Sequence, residues 1–168
     1  FASKGKNVIG VDVNQKTVDT INAGNIHIVE PDLDVIVRDA VSQGYLRAVT
    51  TPEAADAFLI AVPTPFFNLD VASGIPQPDL SFVESAAKAV AVVLKKGDLV
   101  ILESTSPVGA TEKMAAWLAE CRPDLTFPQN AGDESDIRIA HCPERVLPGQ
   151  VVRELVENDR VIGGITQK

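Results

Sequence analysis

The sequence predicts an α/β protein built on a doubly wound, mostly parallel sheet. Short apolar runs alternate with amphipathic helical segments along the 168 residues. Three of these runs are continuous rather than alternating in polarity, which is typical of strands covered on both faces. A helix between consecutive strands favours right-handed crossovers and parallel pairing. With 45% hydrophobic and 23% charged residues, the chain has the composition of one globular domain with a sizeable core.

The predicted strands are short runs rich in Val, Ile and Leu. In chain order they cover residues 8–11, 57–62, 99–102, 137–140 and 160–162, with residues 47–50 as a short edge strand.

Helix start and stop signals lie between these strands. Asn14 is expected to cap a first helix that ends at Gly24, and Asp32 a second that ends at Gly44. Apolar residues at helical spacing give the second helix its buried face: Leu33, Ile36, Val37, Ala40 and Val41.

The later helices are defined in the same way. Either Asp79 or a capping box of Ser81 and Glu84 opens a long helix, whose expected buried residues are Val83, Ala87, Val90 and Leu94. Another inward stripe ends before Pro123 and consists of Met114, Trp117, Leu118 and Cys121. A last short helix holds Glu154 and Leu155, and residues 65–78 are expected to form a surface loop.

Charge and cysteine content narrow the functional classes. The formal net charge of −8 disfavours a general nucleic-acid or anionic-membrane surface. No apolar run reaches the roughly 18 residues of a membrane span. Two cysteines do not make a disulfide scaffold, which favours reduced thiols and a cytoplasmic location. His27 and His141 lack further ligands at metal-binding spacing, so no metal site is predicted.

An acidic residue follows the first predicted strand. Asp12 stands where a dinucleotide-binding, Rossmann-like fold places a carboxylate that accepts hydrogen bonds from the adenosine ribose, which favours NAD over NADP. The alternative is that Asp12 only caps a turn. The companion glycine-rich loop is expected about 20 residues earlier, and only 11 residues precede Asp12. On this interpretation the chain lacks the first strand and that loop, and residues 1–5 end the following helix.

Polar residues follow the next two strands, where ligands bind in such sheets. Thr64 lies between prolines that stiffen its turn. Residues 103–111 combine hydroxyls with a helix start, which suits an anion or a polarised carbonyl. Thr105 and Thr111 are favoured as functional, whereas Ser106 is expected only to cap the helix.

The stretch after the fourth strand pairs Glu144 with Arg145. These residues suit acid/base work and the binding of a phosphate or carboxylate, although an ordinary surface ion pair is the alternative. Cys142 could be a nucleophile with His141 as its base, but neighbours in a strand point to opposite faces, which argues against a working pair. A buried structural thiol is expected instead, because Cys is among the most often buried residues.

Five ordered motifs together resemble the nucleoside-diphosphate-sugar dehydrogenases, the family of the UDP-glucose and UDP-N-acetylmannosamine dehydrogenases. They are residues 11–14 (VDVN), 28–33 (IVEPDL), 62–65 (VPTP), 103–109 (ESTSPVG) and 142–149 (CPERVLPG). The run after Glu144 is most similar to the acetamido-sugar branch, and Pro148 occupies the position of a second acid found in UDP-glucose members.

The resemblance implies a fold, an activity and a set of site residues. The family oxidises the C6 alcohol of a UDP-sugar to a carboxylate with two NAD, here in the synthesis of polysaccharide precursors. By position, Asp12, Thr64 and Thr111 would bind NAD. Thr105 and Glu144 would support catalysis, and Arg145 and Val146 would contact the sugar. The family's nucleophilic cysteine and catalytic lysine match nothing in this chain.

The resemblance also implies a domain organisation. Residues 1–168 would be an incomplete NAD-binding domain, without the family's central dimerisation region and its C-terminal UDP-binding domain. The complete protein would then be a homodimer or larger assembly, and the chain alone would be inactive. The alternative is a non-catalytic nucleotide-binding or interaction module.

Overall fold

A computed structural model describes residues 1–67 and 76–167. The α-helices and strands in this part of the chain are, in order, β1 (Val8–Val11), α1 (Gln15–Asn22), α2 (Leu33–Ser42), β2 (Leu46–Val49), β3 (Ala57–Ile60), α3 (Ser81–Ala91), β4 (Leu99–Leu102), α4 (Ala110–Cys121), α5 (Pro128–Ala131), β5 (Arg138–His141), α6 (Val151–Glu157) and β6 (Gly163–Gly164). Short 3-10 helices cover Ala2–Lys4 and Gly132–Glu134. None of the described helices is long and apolar enough to span a bilayer.

The chain divides into two compact units. The first consists of Phe1–Glu53 and Arg145–Asp159, and the second of Ala54–Glu144 and Arg160–Lys168. Strand pairing follows the same division, with a sheet of β1 and β2 in the first unit and a sheet ordered β3-β4-β5-β6 in the second.

In the first unit, β1 and β2 pair in parallel from Val8↔Leu46 to Val11↔Val49. The predicted edge strand therefore exists and begins one residue earlier than expected. The Asn22 side chain at the end of α1 binds the backbone of Ala48, accepting from its N–H at 2.7 Å and donating to its carbonyl at 2.9 Å. These bonds fix α1 against the sheet, and the buried residues Val18, Ala40 and Ala48 form the small core.

The first two helices begin and end where the sequence predicted. Asn14 Oδ1 accepts a hydrogen bond from the Lys16 N–H at 3.0 Å, and Gly24 and Gly44 have the positive φ that favours glycine after a helix. Asp32 precedes α2 as expected, but it does not cap the helix with its side chain. Its φ of 62° is left-handed, a conformation that Asp tolerates better than most residues.

In the second unit, β3, β4 and β5 are parallel and β6 is antiparallel to β5. The predicted mostly parallel, Rossmann-like character is confirmed. The strand predicted at 57–62 ends at Ile60, and the strand predicted at 137–140 is shifted by one residue.

Helices α3 and α4 bury the core of the second unit against its sheet. The expected inward residues Val83, Ala87, Val90 and Leu94 are all buried, as are Met114 and Leu118. Cys121 is exposed, so its place in the inward stripe was wrong: it is the last residue of α4, beyond the part of the helix that meets the core. In β3, Phe58 and Ile60 enter the core while Leu59 is 42% exposed, so this apolar run is buried on one face.

The strand predicted at residues 160–162 is also wrong. Val161 and Ile162 are exposed, and pairing with β5 begins at Gly163, three residues after the predicted start. A Cβ at Gly164 would lie 2.6 Å from the Thr166 carbonyl oxygen. The tight turn beyond this strand therefore selects glycine rather than a β-branched residue.

Backbone contacts join the residues that follow β3 to the residues that precede α3. The predicted surface loop 65–78 includes residues 68–75, which lie outside the described residues. Phe66 pairs with Pro78 in an antiparallel bridge, and the Phe67 N–H donates to the Gln77 carbonyl at 2.9 Å. Asp79 accepts from the Ser81 N–H at 2.9 Å, so it provides the helix-opening bond expected of either Asp79 or the capping box.

Candidate functional site

The carboxyl ends of three parallel strands are level in the second unit. Ile60 at the end of β3 pairs with Leu102 in β4, and Leu102 pairs with His141 in β5. The loops that follow these strands therefore leave the sheet at one edge. Two of them carry Thr64 and Thr105, and Glu144 follows β5.

Ser104 links the first two of these loops. Its hydroxyl accepts from the Val62 N–H at 2.8 Å and lies 2.8 Å from the Val62 carbonyl oxygen, to which it donates. The residue is 7% exposed. Sequence reasoning assigned Ser104 no role, because nothing in a run of three hydroxyl residues indicates which of them points inward.

Thr64 and Thr105, two predicted site residues, are brought together. The Thr64 hydroxyl donates to the Thr105 carbonyl at 2.6 Å, and the Thr105 side chain remains exposed. Both lie at the strand-end edge of the second unit.

The start of α4 differs from expectation at Ser106. Gly109 precedes the helix with a φ of 88°, and the Ser106 hydroxyl donates to the Ser104 carbonyl at 3.0 Å. Ser106 therefore stabilises the loop and does not cap α4, so its predicted capping role was wrong. Thr111 is the second residue of α4 and is half-buried.

Arg160 joins two acidic residues at the same edge. Its guanidinium lies 2.9 Å from Glu103 Oε1 and 3.7 Å from Glu144 Oε2. The Glu144 N–H also donates to the Glu103 carbonyl at 3.1 Å, which ties the loop after β5 to the end of β4. The predicted Glu144 therefore belongs to an ion-paired cluster.

Arg160 also contacts the buried Cys142, since its Nη1 lies 3.9 Å from the Cys142 Sγ. This hydrogen bond is the largest cause that raises the pKa of Arg160 above its ordinary value, and Glu103 and Glu144 act in the same direction. Arg160 therefore remains a cation between the two carboxylates. Burial of the Cys142 thiol is confirmed.

In the first unit, Asp12 is half-buried directly after β1. Its Oδ1 accepts from the Asn14 N–H at 2.8 Å, and its own N–H donates to the Val49 carbonyl at 3.1 Å. The turn-capping alternative is thus realised, but it uses one carboxylate oxygen. Among the described residues no hydrogen bond reaches the other oxygen, so the carboxylate fits an acceptor for ribose hydroxyls.

The segment that carries Arg145 and Val146 also belongs to the first unit. Glu30 Oε1 accepts from the Gly149 N–H at 2.8 Å across 119 residues of sequence, and Glu154 in α6 accepts from the Leu147 N–H at 2.8 Å. Two carboxylates therefore anchor the backbone just after Val146. Arg145 is exposed and Val146 half-buried.

No group of three or more His, Cys, Asp or Glu side chains is arranged to hold a metal within residues 1–67 and 76–167. Cys121 and Cys142 are both free thiols.

Comparison with known proteins gives a consistent family. A family model described as the NAD-binding domain of the UDP-glucose/GDP-mannose dehydrogenase family matches residues 1–168. The chain is 71% identical over all of its 168 residues to a UDP-N-acetyl-D-mannosamine dehydrogenase of Yersinia pestis, and covers 39% of that protein. It is 70% identical over its full length to an NDP-N-acetyl-D-galactosaminuronic acid dehydrogenase of Ralstonia nicotianae, and covers 38% of it.

A solved structure agrees with these sequence relatives. The native UDP-N-acetyl-mannosamine dehydrogenase of Staphylococcus aureus superposes with a TM-score of 0.85 at 41% identity, over 99% of this chain and 38% of that one. The chain thus spans about two fifths of the length of the relatives it matches.

Proposed function

The chain belongs to the UDP-glucose/GDP-mannose dehydrogenase family, as an NAD-binding domain, and from this premise we propose that its complete protein oxidises the C6 alcohol of UDP-N-acetyl-D-mannosamine to the uronic acid with two NAD. The observation that carries the proposal is the match of the whole chain to this family, together with 71% identity to a relative of that name. Such a product would serve as a precursor of a surface polysaccharide.

Asp12 would hold the cofactor at its adenosine end. Its half-buried carboxylate has an oxygen left for ribose hydroxyls, and its negative charge would repel a 2′-phosphate. Thr64 and Thr111 would supply further polar contacts to NAD. The cofactor, when bound, accepts the hydride that leaves the sugar carbon.

Glu144 and Thr105 would support the chemistry at C6. Glu144 follows β5 and is held near the end of β4, where a carboxylate can accept a proton from the alcohol or from an attacking water. The Thr105 hydroxyl can orient that water by a hydrogen bond. The nucleophilic cysteine and catalytic lysine of the family lie outside this set of residues.

Arg145 and Val146 would contact the sugar nucleotide. The bonds to Glu30 and Glu154 hold the backbone after Val146 in one conformation, which limits the entropy lost when substrate binds. An exposed guanidinium at Arg145 suits a phosphate oxygen or the acetamido carbonyl.

A second substrate has a specific observation in its favour. The Ralstonia nicotianae relative, at 70% identity, carries a name based on N-acetyl-D-galactosaminuronic acid. UDP-N-acetyl-D-galactosamine is therefore the competing substrate of the same enzyme class.

The test is a comparison of both sugars. The complete protein is purified and mixed with NAD and each UDP-acetamido sugar, while NADH is followed by absorbance. We expect two NADH for each UDP-N-acetyl-D-mannosamine consumed and a lower kcat/KM with the galactosamine compound. The reverse preference would assign the second substrate, and no NADH with either would refute the dehydrogenase proposal.

The remaining expectations extend this proposal. Residues 1–168 would be one NAD-binding domain of a longer chain with dimerisation and UDP-binding regions. The protein would act in the cytoplasm as a homodimer or larger assembly, without nucleic-acid or membrane partners.

A further inference from the structure

Arg160 has contacts that the proposed roles do not use. It precedes β6, yet its guanidinium lies at the ends of β4 and β5. Its closest partner is Glu103 at 2.9 Å, across 57 residues of sequence. The side chains of Arg160 and Glu103 are 34% and 17% exposed, so this pair is partly desolvated, unlike most surface pairs.

We propose that Arg160 is a positioning residue for the reaction: Glu103 anchors its guanidinium, and the guanidinium holds the carboxylate of Glu144 at the edge where substrate binds. This inference rests on the proposed function, because it concerns the acid/base residue of that reaction. It adds two residues, Arg160 and Glu103, for which the sequence suggested no role.

The geometry explains why a second link is needed. The backbone bond from the Glu144 N–H to the Glu103 carbonyl fixes where the loop begins, but a bond to the backbone does not set the Glu144 side-chain torsions. A charge near Glu144 Oε2, at 3.7 Å, restricts those torsions. The shorter bond to Glu103, at 2.9 Å, fixes the guanidinium itself, so that it can hold Glu144.

The chemistry selects arginine over lysine at this position. The guanidinium contacts Glu103 and the Cys142 sulfur through Nη1 and faces Glu144 through Nη2, whereas an ammonium is a single point charge. Lysine at this position would retain the charge and lose the fork. We therefore expect the conservative variant to restore part of the function.

The test uses the complete protein and its reaction with NAD and the better of the two UDP-acetamido sugars. We expect Arg160→Met to lower kcat about 10²-fold, the scale of a misplaced reacting group. The equilibrium Kd for NAD, measured by calorimetry without sugar, and the melting temperature should stay close to wild type. Arg160→Lys should give an intermediate kcat.

Two further arms separate positioning from general loss of structure. Added guanidinium ion, well below denaturing concentrations, should raise the kcat of Arg160→Ala, whereas urea, of the same shape but uncharged, should not. The double variant Arg160→Met, Glu103→Gln should lower kcat by less than the product of the two single-variant factors, because both residues act through the same ion pair. Arg38→Met is the matched control, since Arg38 pairs with a carboxylate on the exposed face of α2.

The outcomes distinguish this inference from the function on which it rests. A wild type without NADH production would refute the proposed function and the positioning role together. An active wild type with Arg160→Met within about threefold of its kcat would overturn this inference alone. The inference would also be overturned, in favour of a structural role, if the melting temperature of Arg160→Met fell so far that unfolding at the assay temperature accounts for the lost kcat. Equal rescue of Arg160→Ala by urea and by guanidinium would overturn it as well.

Discussion

Ser104→Ala tests whether the two strand-end loops depend on one buried hydroxyl. The substitution removes the acceptor for the Val62 N–H and the donor to the Val62 carbonyl, both at 2.8 Å. Each such bond contributes about 0.5–1.5 kcal/mol, for a sum of about 1–3 kcal/mol. Val62 is only half-buried, so water can replace part of the loss, and we expect about 1–2 kcal/mol.

The chain offers a local probe for this measurement. Trp117 is the only tryptophan and packs against the core of the second unit. Its fluorescence during urea unfolding therefore reports on the unit that contains Ser104. The corresponding fall in melting temperature is about 2–8 °C for a chain of this size.

A neighbouring serine supplies the control. Ser106 makes one hydrogen bond, to the Ser104 carbonyl, from a half-buried position, so Ser106→Ala should cost less than about 1 kcal/mol. Equal destabilisation by the two variants would refute the linking role of Ser104. A Ser104→Ala protein within about 0.3 kcal/mol of wild type would refute it too.

Three further predictions concern charge, cofactor and catalysis. The pKa of Asp136 is lowered chiefly by its bond from the Thr126 N–H, so the stability that this carboxylate adds is present at neutral pH and is lost as pH falls below the usual Asp value of about 4. Asp136→Asn should therefore have a lower free energy of unfolding than wild type at pH 7 in urea titrations. An equal difference in the free energy of unfolding at low pH would contradict this. Asp12→Asn should weaken NAD binding about tenfold by calorimetry and reduce the preference for NAD over NADP, while the new amide oxygen can still accept from the Asn14 N–H. Unchanged Kd values for both cofactors would show that Asp12 does not contact the cofactor. The 168-residue chain alone should produce no NADH from UDP-N-acetyl-D-mannosamine, because neither Cys121 nor the buried Cys142 matches the family's nucleophile. Measurable turnover would refute this.

Local signals predicted the elements that local interactions build. The run at Val8–Val11 and the cap at Asn14 were correct because an apolar strand and an Asx cap each depend on a few consecutive residues. Leu99–Leu102 was correct for the same reason. The expectation for residues 160–162 rested on their β-branched composition. It was wrong because a contact from outside the segment acts on it: Arg160 is paired with Glu103 at the end of β4.

The same distinction between local signals and long-range contacts applies to the residues of the candidate site. Thr64, Thr105 and Glu144 could be predicted as strand-end residues, because parallel strands place their carboxyl ends at one edge. The roles of Ser104 and Arg160 could not, since they depend on side-chain contacts across 42 and 57 residues. No periodicity or spacing rule encodes contacts between residues so far apart in the sequence.

The bridge between Phe66 and Pro78 has a practical consequence for protein engineering. The Phe67 N–H donates to the Gln77 carbonyl and the Asp79 N–H to the Pro65 carbonyl, and these bonds join the segment that leaves β3 to the segment that enters α3. We therefore expect an epitope or a fluorescent label inserted between Phe67 and Gln77 to leave Thr64, in the loop after β3, in its place.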